Sequence, residues 1–185
     1  DVKYADLNND GIMDERDKKV VSPYSNTPEI MFGLNLSASW KGFDFSALFQ
    51  GAANRNVMLS GFATQMFING ASNLPKYLYE DHWTPDNRDA CYPKAWGPDH
   101  PSNNKSSTFW LINGNYVRLK NVELGYSISK DLLSRVGVDR LRIYVGGSNL
   151  FSIDHMPGYD PEKQDGGPNY YPQQRVFNMG VNITF

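Results

Sequence analysis

Phe177, Met179, Val181, Ile183 and Phe185 alternate without a break with Asn178, Gly180, Asn182 and Thr184. A period of two puts every large apolar side chain on one face of an extended strand and every small or polar one on the other. The run matches the ~9–11 residues of a tilted strand that crosses a bilayer. A slip of one residue would turn the whole apolar set over, so the register is strongly specified.

The pattern recurs upstream. In residues 139–151, Leu141, Ile143 and Val145 oppose Arg142, Tyr144, Gly146 and Ser148, and Asn149 interrupts the apolar face. In residues 115–129, Val117 and Leu119 sit at odd positions and Val122, Leu124, Tyr126 and Ile128 at even ones. The slip around Lys120-Asn121 predicts a β-bulge that restores one apolar face. Phe32, Leu34, Leu36, Ala38 and Trp40 precede Lys41-Gly42, and Phe43, Phe45, Ala47 and Phe49 follow it. A two-residue turn sets Trp40 opposite Phe43. Both rings then stand at strand ends on the apolar face, where a barrel carries its interfacial aromatic belt. Asn35, Ser37, Asp44, Ser46 and Gln50 fall on the lumen side.

Connections sort by length. Lys41-Gly42 and residues 130–138 are short, whereas 1–28, 53–114 and 152–174 are long, and the two kinds alternate along the chain. Short periplasmic turns and long extracellular loops are the topology of an outer-membrane barrel. The expected organisation is therefore an all-β barrel segment of about five strands, fewer than the eight of the smallest closed barrel. It comprises an extracellular loop 1–28, a hairpin 29–52, a loop 53–114, a hairpin 115–151, a loop 152–174 and a last strand 175–185. Lys130-Asp-Leu-Leu-Ser-Arg135 reads as one helical turn ended by Gly137.

Composition narrows the function classes. The 185 residues would equally suit one soluble domain, but a net charge of −2 supplies no basic face for nucleic acid. One cysteine, Cys91, cannot form an internal disulfide, and the three histidines, His82, His100 and His155, have no zinc-ligand spacing. No run approaches the ~20 apolar residues of a spanning helix. The opening Asp-Val-Lys-Tyr-Ala-Asp is neither a start methionine nor a signal peptide, so the chain is expected to be part of a longer polypeptide.

Asp6, Asn8, Asp10, Ile12, Asp14 and Asp17 occupy positions 1, 3, 5, 7, 9 and 12 of a loop with Gly11 at position 6. This is the spacing of an EF-hand calcium loop, in which one tight turn wraps a hard cation and position 7 offers its backbone carbonyl. Position 12 is Asp where the longer Glu is usual, and the alternative is a surface turn rich in Asx hydrogen bonds. A Ca²⁺ ion here would be structural, pinning an outside loop.

The 53–114 connection carries Tyr77, Tyr79, Trp83, Tyr92, Trp96 and Trp110 among Pro, Asn and Asp. Tyr77, Tyr79, Trp83, Trp96 and Trp110 are candidates for stacking on sugar rings. The same rings would also serve as the loop's own small core or as a partner interface. No catalytic constellation emerges from the scattered histidines or from pairs such as Glu80-Asp81, and the chain is not expected to be an enzyme. Gly146-Gly147 and Gly166-Gly167 lack the strand-to-helix setting of a phosphate loop.

Taken in order, several pieces resemble the C-terminal region of SusC/RagA-type TonB-linked outer-membrane transporters. They are Asp6-Leu-Asn-Asn-Asp-Gly11, Trp40-Lys-Gly-Phe-Asp-Phe45, Phe49-Gln-Gly51, Trp83-Thr-Pro85, Tyr116-Val-Arg-Leu-Lys-Asn-Val122, Leu124-Gly-Tyr126, Ser148-Asn-Leu-Phe151, Gly158-Tyr-Asp-Pro-Glu162 and Tyr171-Pro172. The resemblance covers essentially the whole chain. It implies a barrel of about 22 strands, a Gram-negative outer membrane, and a SusD-like surface lipoprotein that closes over the mouth to capture glycans or peptides. It also implies a TonB complex acting through an N-terminal part outside this chain, with the remainder of the barrel and outer-membrane lipid as further partners.

Two other readings compete. A soluble, secreted, calcium-stabilised carbohydrate-binding β-module would show the same aromatics and Asp-rich loop, with a second sheet covering one face. A glycoside hydrolase fragment would need two carboxylates across a cleft.

Overall fold

The computed structural model describes residues 1–67, 73–96, 102–133, 137–163, 171 and 173–185. Two compact units emerge. One gathers Glu29–Ala53, Asn115–Asp154 and Tyr171–Phe185, and the other Asp1–Pro28, Asn54–Gly114 and His155–Tyr170.

The first unit is a five-stranded antiparallel sheet built from β1 (Ile30–Trp40), β2 (Phe43–Ala53), β5 (Tyr116–Ser127), β6 (Arg140–Asp154) and β7 (Val176–Thr184), in that spatial order. Neighbours in the sheet are neighbours in sequence once the long connections are set aside, an up-and-down meander. Lys41 (φ 46°) and Gly42 (φ 87°) both adopt the left-handed region and place Trp40 opposite Phe43, as a tight primed turn requires. At the same end, helix α2 (Lys130–Leu133) joins β5 to β6. Gly137 (φ 71°) lets the Val138 amide reach back to the Leu133 carbonyl, a glycine-assisted helix stop. Residues 134–136 of the expected turn lie outside the described residues.

Register carries the amphipathic pattern across every strand. Leu34 pairs with Phe49, which pairs with Leu119, which pairs with Phe151. Further along, Ala38, Phe45, Leu124, Val145 and Met179 form another such row. The pairing of β2 with β5 shifts between Leu119 and Asn121, so Lys120 is the bulged residue and both halves of β5 keep their apolar side chains on one face. A second irregularity lies beside it in β6, where Ser148 pairs with Asn121 and Phe151 with Leu119. Between these two levels β2 advances from Ala47 to Phe49, β5 from Val122 back to Leu119, and β6 from Gly147 to Phe151. Each strand spends one residue more than its neighbour.

The second unit has a core of its own. Strands β3 (Asn56–Met58) and β4 (Leu111–Asn113) pair as a small ribbon, and helix α1 (Lys76–Glu80) lies in the same connection. Val57, Leu59, Ala63, Met66, Leu78, Trp110 and Met156 are buried together, with Tyr77, Tyr92 and Tyr159 packed against them. Arg55 is buried as well and donates to the Pro161 carbonyl at 2.7 Å and the Lys163 carbonyl at 2.5 Å, tying the 54–114 connection to the one after β6.

Candidate functional site

The sheet's two faces differ in chemistry. On one face Leu34, Leu36, Phe45, Leu124, Ile143, Val145, Met179, Val181 and Ile183 are all exposed, Val145 at 54% and Met179 at 85%. A contiguous apolar surface across five strands exceeds what a soluble monomer leaves open. Trp40, Phe43 and Tyr126 close this face at the turn end, with the Phe43 and Tyr126 rings 4.6 Å apart and Lys41 Nζ 4.8 Å from the Trp40 ring. Among the described residues no helix is long and apolar enough to cross a membrane, which says nothing about strands.

The opposite face is polar and laid flat. Arg142 Nε donates to Asp44 at 2.9 Å, and its Nη2 donates to Asp44 and, at 2.7 Å, to Glu123. One guanidinium therefore bridges carboxylates from β2 and β5. It can lie along the sheet because Gly125 is beneath it, where an added Cβ would stand 2.6 Å from Arg142 Cζ. On the next strand the Tyr144 ring covers Gly180 in the same manner. Strand parity alone puts Asp44 on this face, whereas its convergence with Glu123 and Arg142 depends on the β2–β5–β6 register and has no signature in the linear sequence.

The predicted substrate candidates divide. Trp110 is 1% exposed, donates from Nε1 to the Asn103 carbonyl at 2.8 Å, and stacks on Tyr92 at 6.2 Å. Tyr77 packs edge-on against Tyr92 and Tyr159, its hydroxyl donates to the Ala63 carbonyl, and burial pushes its phenol well above the ordinary range. These two rings build the loop core. Tyr79, Trp83 and Trp96 are exposed at 66%, 36% and 51%, and Lys94 Nζ stands 5.2 Å from the Trp96 ring.

The acidic loop folds around its own carboxylates. Asp6 accepts from the Asn9 amide at 2.7 Å and the Gly11 amide at 2.8 Å, and Asp17 accepts from Leu7 at 2.8 Å and Asp14 at 2.9 Å. Gly11 takes φ 79°, the left-handed bend expected at position 6. Arg16 Nη2 pairs with Asp10 at 2.7 Å and Asp14 at 2.8 Å. The Arg16 guanidinium holds the Asp14 carboxyl below the usual carboxylate range, and backbone amides, that of Asp14 first, do the same for Asp17. Among the described residues no group of three or more His, Cys, Asp or Glu side chains is arranged to hold a metal ion.

His82 Nδ1 lies 2.8 Å from the Tyr79 carbonyl, and His100 lies outside the described residues, as does the Gly166-Gly167 pair. Glu80 pairs with Lys76 at 3.4 Å. Gly146 and Gly147 sit under Asn178 and Leu150 respectively, an account in close packing rather than phosphate binding.

No family model matches the chain. TonB-dependent receptor P26 of Formosa agariphila is 31% identical over 99% of the chain, and TonB-dependent receptor P3 of the same organism is 28% identical over 98%. TonB-dependent receptor SusC of Bacteroides thetaiotaomicron is 24% identical over 98%. The chain is a relative of the SusC/RagA-type TonB-dependent receptors. It spans 19% of the length of the two Formosa proteins and 17% of SusC. The RagAB peptide importer in its open-open state is matched over 86% of this chain and 17% of that one, with a TM-score of 0.63 and 27% identity. In the closed-closed state the match covers 95% and 20%, with a TM-score of 0.67 and 25% identity. The antiparallel sheet corresponds to part of the barrel wall of these receptors, whose sheet closes only with strands beyond this segment, and outer-membrane barrels are the setting of the family.

Proposed function

We propose that the chain is the C-terminal wall segment of an outer-membrane importer of glycans or peptides that works with a SusD-like surface lipoprotein. One observation carries the reading: an apolar face exposed on all five strands in matched register, backed by a polar face on which Arg142 bridges the carboxylates of Asp44 and Glu123. Such a sheet satisfies its backbone only when its outer edges, β1 and β7, are paired by further strands of a closed barrel. In this role the segment performs no covalent chemistry. The apolar face meets lipid, the polar face lines the bore, and the long connections face the outside. Exposed Tyr79, Trp83 and Trp96 supply stacking surfaces, and the TonB complex acts through the part of the polypeptide outside this segment.

The test is location and labelling of the full-length protein. Expected is outer-membrane fractionation that only detergent reverses, with cysteines at Val181 and Ile183 shielded by lipid and those at Asn182 and Thr184 open to aqueous reagents. Release by salt or alkaline wash, or the reverse labelling parity, refutes the assignment and supports the soluble carbohydrate-binding module.

Calcium is proposed for the Asp6–Asp17 loop on its ligand spacing. The side chains of Asp6, Asn8, Asp10, Asp14 and Asp17 and the Ile12 carbonyl would hold the ion, with Arg16 turned away from Asp10 and Asp14. Calorimetric titration of the intact protein should show calcium uptake that Asp10→Ala removes. Equal uptake by both proteins eliminates the site.

A further inference from the structure

We propose that Asn149 is a releasable latch that ends the β6–β7 ladder and ties the chain entering β7 to the sheet. The last rung between these strands is Ser148 with Val176, yet β6 continues to Asp154 in partnership with β5 alone. At the point where the ladder stops, Asn149 takes φ 53°. A left-handed residue turns its backbone groups away from the ladder direction, so another main-chain rung cannot form there. Its side chain substitutes for the rung: Nδ2 donates to the Gln174 carbonyl at 3.3 Å and to Gln173 Oε1 at 3.1 Å.

The surroundings hold this geometry from both sides. Ser148 Oγ bonds Asn121 Oδ1 at 2.9 Å across the bulge level, and Leu150 folds over Gly147, where a Cβ would stand 2.7 Å from Leu150 Cδ2. Phe151 returns to the apolar face with its ring 6.5 Å from that of Phe49. The Ser148-Asn-Leu-Phe151 sequence thus places one residue on each of four tasks: Ser148 closes the last rung with β7, and the Asn149 side chain reaches past it to the chain entering β7.

The latch is poised because its closed form carries two costs. A non-glycine residue sits in the left-handed region, which Asn tolerates better than most. Its Oδ1 is buried and meets no donor among the described residues, a penalty for any polar atom. Two long hydrogen bonds offset these costs. Rotation of one side chain therefore frees Gln173 and Gln174 and lets the first rungs, at Val176 and Phe177, fray while those from Asn178 onward stay in place, the low-free-energy local opening from which mobile segments are drawn.

Hydrogen exchange on the full-length protein in detergent tests this with two variants. Asn149→Gly keeps the left-handed backbone and loses the amide, and Asn149→Asp keeps the size and backbone preference but cannot donate. Both should speed exchange across residues 173–177 at least about tenfold while residues 178–183 stay at wild-type rates. Wild-type rates at 173–177 in both variants overturn the latch. Acceleration spread equally through 178–183 overturns it too, since Asn149 would then support the ladder as a whole.

Discussion

Replacing Trp110 probes whether the long connection after β2 is an ordered element with its own core. The indole is fully enclosed, packs edge-on against Phe109 at 4.7 Å and parallel to Tyr92 at 6.2 Å, and donates to the Asn103 carbonyl. Its own carbonyl accepts from the Leu59 amide at 2.9 Å, so Leu59 reports directly on whether this core is closed. Truncation to Ala removes a large buried ring and leaves a cavity, a cost of about 3–5 kcal/mol. If Leu59 exchanges through local opening, its rate should rise roughly 10²- to 5 × 10³-fold, at about 1.4 kcal/mol per factor of ten. Trp110→Phe keeps an aromatic ring but strips the Asn103 carbonyl of this donor. Asn103 is 5% exposed, and leaving a buried acceptor short costs about 1–3 kcal/mol, so the rise should be smaller, roughly tenfold to a hundredfold. Site-resolved hydrogen exchange on the full-length protein measures both. Near-native exchange at Leu59 in Trp110→Ala refutes the core, and equal acceleration of the β6–β7 amides refutes its independence from the sheet.

Three further outcomes follow from the geometry. Val181→Arg should destabilise refolding into bilayers by about 2–4 kcal/mol near the midplane, and Asn182→Arg by clearly less; equal costs on a urea titration would contradict the facing. Asp14 and Asp17 have depressed carboxyl pKa values, so they stabilise the acidic loop above the ordinary carboxylate range near about 4 and lose that contribution as pH falls through their lowered values. Protection of the Leu7 amide should accordingly be flat from neutral pH down to that range and collapse below it. Hydrogen bonding to Asp81 raises the Cys91 thiol pKa, so alkylation at neutral pH should be slow despite its exposure and quicken in Asp81→Asn, followed by mass spectrometry.

Period-two alternation made most of the sheet legible in advance, because burying or exposing a whole face leaves little freedom in parity. The bulge at Lys120 was readable for the same reason: β5 gains one residue, and its apolar positions switch from odd to even. The irregularity in β6 left no such trace. Gly147 and Phe151 are four residues apart, so the strand passes through its bulge in phase, and Asn149 looked like a break in the apolar face when it is a left-handed residue inside the strand. The loop core was hidden differently. Val57 and Leu59 lie some fifty residues from Trp110 and Ile112, and their meeting depends on β2 and β5 delivering both chain ends to one place. Tyr77 and Trp110 therefore looked as available as Tyr79 and Trp96, although only the latter pair is exposed.

Glycines on this sheet are best understood through the side chains that cover them. Gly125 underlies Arg142, Gly180 underlies Tyr144 and Gly146 underlies Asn178 on the polar face, while on the apolar face the Phe32 ring covers Gly51. In each case a neighbouring strand contributes the covering group, so a missing Cβ lets a long side chain lie along the sheet where it would otherwise project. On a wall that lines a bore, projection would narrow the passage and leave a guanidinium exposed to whatever fills it. Laid over Gly125, Arg142 instead spends its donors on Asp44 and Glu123. Glycine placement and ion pairing are thus one device: the first makes the wall flat at this level, and flatness brings one guanidinium within reach of both carboxylates.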